Sequence, residues 1–426
     1  MSVKQLAQDI FTDALEASLP KNFISKYCIL DASILQIGED SYNLQEYKDI
    51  YIFGSGKAAY TMASEMEKLL GSKISSGLIV APQADKKLKF IEVCEGSHPL
   101  PSQKSFNATS KLIEAMKKCD EDDLYIYLLS GGSSALIELP SMGINLHDFQ
   151  KTTELMLHNG LNIHEINSVR KHISQIKGGQ LANACKAQGV VLVLSDIVDN
   201  DLYSIGSAPL YADKSRFKDA VEILKSYDIF EQIPQSVQKH LQKGLDGVIE
   251  ETPKIESENV KHYIIASNAL ALYAAAKSAI ANGLSVQVLE KAMHGNVEDM
   301  IQTMLDVIQS SKESCIIFGG ECTVEVKGDG KGGRNQHAVA LMLEQICKEN
   351  LDICFLSAGT DGIDGNSDAA GAVVSYEDCK KFELKELQKY IENFDSHNFF
   401  KKTDSLIITG ASGTNVIDIA IIIKGE

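Results

Sequence analysis

No run in this sequence approaches the roughly 20 consecutive apolar residues that a membrane-spanning helix needs, so an integral membrane protein is not expected. Positive charge is scarce: 41 Lys and Arg stand against 58 Asp and Glu, a formal net charge of −17. That balance argues against nucleic acid or an anionic membrane surface as a partner. The nine cysteines include no C-x-x-C pair, and several (Cys94, Cys315, Cys354) sit inside apolar runs. Buried, reduced thiols are expected there, and with them a cytoplasmic compartment. Tryptophan is absent altogether. The opening stretch, 3–19, is amphipathic and carries Asp9, Asp13 and Glu16, unlike a secretory signal or a basic transit peptide. Three catalytic signatures are missing as well. Lys331 is followed by Gly332, so the glycine run there is no P-loop. Gly54-Ser55-Gly56-Lys57-Ala58-Ala59 has alanine where a dinucleotide fingerprint has its third glycine, and residues 130–134 form no G-x-S-x-G elbow.

What is present is a repeated local pattern. A chain of 426 residues exceeds one ordinary core, and two or three domains are expected. Apolar runs at 50–53, 77–81, 90–94, 124–129, 190–194, 263–266, 286–289, 315–318, 353–356 and 406–408 read as strands, with helical spacing between many of them. A short alternating strand is expected at 323–326. Strands alternating with helices imply parallel α/β sandwiches. The polar segment 246–260, with Glu250, Glu251, Pro253 and Glu256, reads as a linker. The expected fold class is therefore α/β: two α/β/α sandwich lobes, residues 1–245 and 246–426, with a cleft between them.

Five of the strand ends carry small or polar residues. They are Gly54-Ser55-Gly56-Lys57, Ser130-Gly131-Gly132-Ser133-Ser134, Ser195-Asp196, Gly359-Thr360-Asp361-Gly362 and Thr409-Gly410-Ala411-Ser412-Gly413-Thr414-Asn415. One such junction is a turn device; five point to a site at the carboxyl ends of strands. A lysine is unfavourable at the positive start of a helix unless an anion shares the site, which singles out Lys57. The stretch 319–340 places six glycines before Arg334-Asn335-Gln336 and a helical pattern. Backbone amides of such a loop suit phosphate or carboxylate, and the planar fork of Arg334 suits bidentate oxyanion contacts. Arg170, Ser174 and Lys177, at spacings of four and three, would share one helix face. His98 sits in a turn. Asp196, Asp199 and Asp201 form one acidic set, and Glu321, Asp361 and Asp364 another; carboxylates of this kind suit Mg²⁺ accompanying a nucleotide.

Together these segments, with Gly96-Ser97-His98-Pro99, Asn167-Ser168-Val169-Arg170-Lys171-His172, Gly319-Gly320-Glu321-Cys322 and Asp368-Ala369-Ala370-Gly371, resemble the glycerate 2-kinase family nearly end to end. The resemblance implies a Rossmann-like N-terminal lobe and a C-terminal lobe carrying a MOFRL domain at about 313–424. It implies ATP- and Mg²⁺-dependent phosphorylation of D-glycerate at its 2-hydroxyl, giving 2-phosphoglycerate. The family's catalytic lysine and arginine fall on Lys57 and Arg334. Ser55, Gly56, Ser130, Gly131, Gly132, Ser133, Ser134 and Asn335, with the amides near Gly332 and Gly333, are the expected phosphate contacts. Arg170 and Lys177 are expected on the glycerate carboxylate, and Asp196 or Asp361 at the metal. A small-molecule enzyme acting as a monomer or homodimer follows. The chain departs from the family pattern at Asp199-Asn200-Asp201-Leu202, Ser207-Ala208-Pro209-Leu210, Ala411-Ser412 and His337. Rival readings are an NAD(P)-dependent hydroxypyruvate reductase, a kinase of another small hydroxy acid, and a non-catalytic sugar-acid or nucleotide-binding protein.

Overall fold

The computed structural model describes residues 1–84 and 87–425, which divide into two compact α/β units. The first comprises Ile24–Leu194 and Asn200–Ile265, the second Met1–Phe23, Ser195–Asp199 and Ala266–Glu426.

The first unit is built on a six-stranded sheet in the order Glu92–Glu95, Ser76–Ala81, Ile50–Ser55, Leu124–Leu129, Gln188–Leu194 and Val260–Ala266. The first five run parallel. Every residue of Leu124–Leu129 is buried, as expected for an unbroken apolar run in a sheet covered on both faces. The chain lays strands outward from Ile50–Ser55 in one direction, then returns to place Leu124–Leu129 on its other side. The carboxyl ends of these two strands therefore flank a topological switch point, where open α/β sheets bind ligands. A three-stranded antiparallel meander, Cys28–Asp31, Ile34–Ile37 and Asp40–Asn43, was not anticipated. The segment read as a linker is instead packed into this unit. Thr252 Oγ1 donates to Asp213 at 3.0 Å, Phe217 N donates to Glu251 at 2.9 Å, and the following strand, Val260–Ala266, becomes the sheet's edge.

The second unit has a mixed sheet in the order Val286–Met293, Cys315–Gly320, Asp418–Lys424, Ile353–Gly359, Gly371–Ser375 and Leu406–Ile407. Only the first pair is parallel; the rest pair antiparallel, where parallel strands were expected. The strand Asp418–Lys424, not anticipated, fills the centre and buries Ile419, Ala420, Ile421, Ile422 and Ile423. The expected strand at 323–326 reduces to one bridge between Thr323 and Asn296. The N-terminal helix Val3–Ala17 belongs to this unit and buries Ala7, Ile10, Phe11 and Ala14; Thr414 Oγ1 donates to the Ser18 carbonyl at 2.6 Å. Cys347 and Cys379 form a disulfide, with Cα atoms 5.5 Å apart; the other seven cysteines are free, and Cys94, Cys315 and Cys354 are buried thiols as expected. Among the described residues, no helix is long and apolar enough to cross a membrane.

Candidate active site

The five glycine-bearing strand ends sort between the two units. In the first, the loops after Ile50–Ser55 and Leu124–Leu129 interlock. Lys57 N donates to the Gly131 carbonyl at 2.8 Å and Ser130 N to the Ser55 carbonyl at 3.1 Å. Ala58 N donates to Ser130 Oγ at 3.0 Å. Ser55 Oγ lies 2.6 Å from Ser133 Oγ and 2.7 Å from the Tyr127 hydroxyl. Gly56 is required here: its φ is +133°, and a Cβ would fall 2.1 Å from Ser130 Oγ. The hydroxyls of Ser55, Ser130 and Ser133 are buried and knit the loops together. Lys57 immediately precedes the helix Ala59–Leu70 and its N-cap, Ala58. Its Cγ and the His98 ring would each lie 3.1 Å from a Cβ placed on Gly132. Lys57, His98 and Gly132 thus meet at the switch point.

Arg170 lies near the end of the helix Ile163–His172, and Ser174 and Lys177 lie in the turns beyond it, so the three do not share a helix face as expected. They converge all the same, on Glu138. Lys177 Nζ is 3.2 Å from Glu138 Oε2, Arg170 Nη2 is 3.8 Å from it, and Ser174 Oγ donates to Glu138 Oε1 at 2.6 Å. Both cations also donate to the Ser134 carbonyl, at 2.7 and 2.8 Å. Lys177 and Glu138 are wholly buried. Burial outweighs the attraction of Glu138 and pushes the Lys177 ammonium down to about 8, with Arg170 adding to the fall. A buried charge needs a partner, and this cluster fastens the Ser130–Ser134 loop from below.

In the second unit Arg334 opens the helix Arg334–Glu349, whose N-cap, Gly333, has no side chain to offer. Asp364 caps it from another loop, accepting from Asn335 N at 3.1 Å and from Gln336 N and Nε2 at 2.8 and 3.0 Å. Burial pushes Asp364 up to about 6, against the lowering effect of the Gln336 amide. Asn335 is buried and accepts from Ser357 Oγ at 2.7 Å. The glycine loop is tied down too. Gly330 N donates to Asn393 O at 3.0 Å, Lys331 N to Asp395 at 2.9 Å and Gly332 N to Asn366 at 2.8 Å. A Cβ on Gly328 or Gly330 would come within 2.5 Å of the Asn393 carbonyl. These glycines allow backbone to approach backbone, and the Gly332 amide expected to meet phosphate already has a protein acceptor. Lys331 pairs with Asp368 at 2.9 Å.

The guanidinium of Arg334 is held by two acids. Nε and Nη2 donate to the two oxygens of Asp418 at 2.5 and 3.0 Å, and Nη1 meets Glu321 at 2.5 Å. Asp418 is buried, whereas a third of the Arg334 side chain stays exposed. Loss of solvent pushes the Glu321 carboxyl up although 41% of its side chain remains accessible; Arg334 opposes the rise, and Asp418, Asp196 and Asp361 add to it. The charges of Asp196 and Asp361 are thus felt at Glu321. Asp199 and Asp201 are engaged elsewhere: Asp199 pairs with Lys291 at 2.7 Å, and Asp201 receives Tyr203 N and Ser204 Oγ. Among the described residues, no three His, Cys, Asp or Glu side chains stand close enough to form a metal cage. Beside Arg334 opens a cavity of about 450 Å³ whose walls include Val324, Val326, His337, Phe394 and Ser396.

Asp418 and Glu138 were missed in the sequence, and both had the same available signal. Each is a lone acid inside an apolar run, Ile417-Asp418-Ile419 and Ile137-Glu138-Leu139, and such a carboxylate must have a cation or donor nearby.

Residues 6–242 match a family model described as a domain of unknown function (DUF4147), and residues 314–418 match the MOFRL family. A protein of Pyrococcus horikoshii named glycerate 2-kinase is 35% identical over 99% of this chain and 98% of its own length. One of Thermotoga maritima named D-glycerate 2-kinase is 34% identical over 99% and 98%. The crystal structure of a glycerate kinase from Thermotoga maritima superposes with a TM-score of 0.84 at 32% identity, covering 99% of both chains. With likeness in sequence and in fold running the length of the molecule, the chain belongs to the glycerate 2-kinase family.

Proposed function

We propose that this chain transfers the γ-phosphoryl group of ATP to the 2-hydroxyl of D-glycerate, giving 2-phosphoglycerate and ADP. The observation that carries this reading is the surroundings of Arg334: a guanidinium held between Asp418 and Glu321, with the charges of Asp196 and Asp361 acting on Glu321 as well. Such a group repels a bare polyphosphate and accepts one that arrives with a divalent cation. Mg²⁺ characteristically uses one or two protein carboxylates and keeps phosphate and water for its other positions, so Asp196 and Asp361 suit it without a protein cage. When bound, the ion supplies charge neutralisation on the phosphate oxygens.

Phosphoryl transfer asks little covalent chemistry of a protein and depends on positioning and electrostatics. Arg334 has both properties, since Asp418 fixes its plane and its exposed edge offers donors to the transferring group. Lys57 is the second catalytic cation, set by the switch-point turn. Arg170 and Lys177 act at one remove by fixing the Ser130–Ser134 loop. Seven of the nine cysteines are free, six of them buried, which supports a cytoplasmic setting even with the Cys347–Cys379 disulfide.

A coupled assay with ATP, Mg²⁺ and a panel of small hydroxy acids, followed by phosphorus NMR of the product, tests this reading. Phosphorylation of D-glycerate at carbon 2 is expected; failure of every acid in the panel to elicit ADP release would sink the proposal. Hydroxypyruvate with a nicotinamide cofactor, run alongside, separates the reductase alternative.

A further inference from the structure

The cavity beside Arg334 is not accounted for by the phosphoryl-transfer group itself. Its volume of about 450 Å³ lies within the roughly 300–1,000 Å³ typical of small-molecule sites. The wall combines apolar and aromatic surface with bare backbone: Val324, Val326, Phe394, and the glycines at 330, 332 and 365. His337 and Phe394 stack with ring centroids 4.7 Å apart and planes 12° from parallel. His337 is almost wholly buried and Phe394 only partly, so Phe394 presents the open face of the stack.

Polar groups interrupt this lining: Glu321, Thr323, Arg334 and Asn366 stand in the wall, and behind it lie two unsatisfied atoms. Ser396 Oγ and His337 Nδ1 are buried and have no hydrogen-bond partner among the described residues, and both residues line the cavity. Unsatisfied buried groups are uncommon in folded proteins and call for an explanation. Desolvation disfavours the charged form of His337, which leaves its ring neutral. Arg334 is then the only full positive charge among the described lining residues.

This distribution excludes a small anionic acceptor as the natural occupant. Glycerate would leave most of the space empty, and a carboxylate placed away from Arg334 would lose its water without gaining a cation. A flat, neutral heteroaromatic ring fits: it stacks on an aromatic face and offers ring nitrogens and exocyclic groups to the unsatisfied serine and histidine. A phosphate chain leaving such a ring reaches Arg334 at the edge of the same cavity.

We propose that the cavity walled by Val324, Val326 and the His337–Phe394 stack is the subsite for the purine base of the nucleotide donor. The second unit thus binds the base as well as supplying Arg334. This rests on the phosphotransferase reading above, and the two are tested separately.

Two variants address the cavity without touching Arg334. Val326, 61% exposed, is replaced to give Val326→Trp, which narrows the opening; Phe394→Ala removes the stacking face. Calorimetry of ADP and of adenosine on each full-length protein gives the binding readout. ATP turnover with D-glycerate, with separate KM values for each substrate, gives the kinetic one. Each variant is expected to weaken ADP and adenosine about tenfold or more and to raise KM for ATP similarly, with KM for glycerate within about twofold. ADP should also bind wild type more tightly than CDP does. If turnover occurs but both variants, with unchanged thermal melts, keep wild-type ADP affinity, the subsite is wrong and the kinase reading stands. A rise in KM for glycerate instead of ATP overturns it likewise. If no acceptor is phosphorylated yet ADP binds and both variants weaken it, the kinase reading fails and the subsite stands. Absence of ADP and adenosine binding to wild type at millimolar concentration overturns the subsite.

Discussion

Arg334 and Asp418 are 84 residues apart in the chain and share two hydrogen bonds, Nε to Oδ2 at 2.5 Å and Nη2 to Oδ1 at 3.0 Å. Arg334 begins a helix and Asp418 begins the central strand of a sheet, so the pair couples two rigid elements. Bidentate pairs of this kind fix the plane of the guanidinium as well as its position.

Asp418→Asn keeps the shape but removes the charge and one acceptor. We expect kcat to fall about 10- to 100-fold, equivalent to about 1.4–2.8 kcal/mol, with a smaller change in KM for glycerate. Steady-state kinetics well below the melting temperature check this. Combining it with Arg334→Ala should cost little more than Arg334→Ala alone, because the two act as a unit. Full additivity would separate them.

Lys57→Ala should lower kcat by about a thousandfold or more, the scale on which a transition-state cation acts in phosphoryl transfer, while the thermal melt stays within a few degrees. Lys57→Arg should not restore the rate, since the space beside Gly132 and His98 is narrow. Turnover within a few-fold of wild type for Lys57→Ala would remove it from the mechanism.

Glu138→Ala leaves Lys177 and Arg170 buried without their acid. Removing one partner of a buried ion pair costs about 3–5 kcal/mol, and urea unfolding should show a loss of that order. Replacing both ends, as Glu138→Leu with Lys177→Met, should recover part of it, because less uncompensated charge remains. A double variant worse than Glu138→Ala would contradict the account.

Asp364 carries a pH signature. Its folded-state value is raised to about 6 from an ordinary value of 3.8. The folded protein therefore holds this proton more tightly than the unfolded chain does. Its contribution is fully present below about pH 4 and is lost as pH rises through about 6. Relative to Asp364→Asn, which does not titrate, wild type should lose stability between about pH 4 and pH 7, by an amount on the order of 2–3 kcal/mol. Urea unfolding of the two proteins across this range measures the loss. A stability difference that stays flat with pH would show that Asp364 is not raised.

Much of this architecture was readable along the chain. The strand Ile50–Ser55, its glycine turn and the helix Ala59–Leu70 are signalled by an apolar run, two glycines and a change of period, all within about 20 residues. Lys57 stood out there because a helix start disfavours a cation. Arg334 stood out for the glycines before it, although those glycines serve backbone packing against Asn393 as much as any ligand. The expected strand at 323–326 failed because alternation alone gives a strand no neighbour, and among the described residues its pairing is a single bridge from Thr323 to Asn296.

Local residue chemistry determined where the strands, turns and the two notable cations lie, because periodicity, caps and glycine turns act over a few positions. Tertiary structure alone decided the mixed order of the second sheet, the central place of Asp418–Lys424, and the pairing of Arg334 with Asp418 and Glu321. It also turned Arg170 and Lys177 inward to Glu138. Those outcomes depend on which distant elements pack together, and a buried charge such as Asp418 announces that it needs a partner without naming which one.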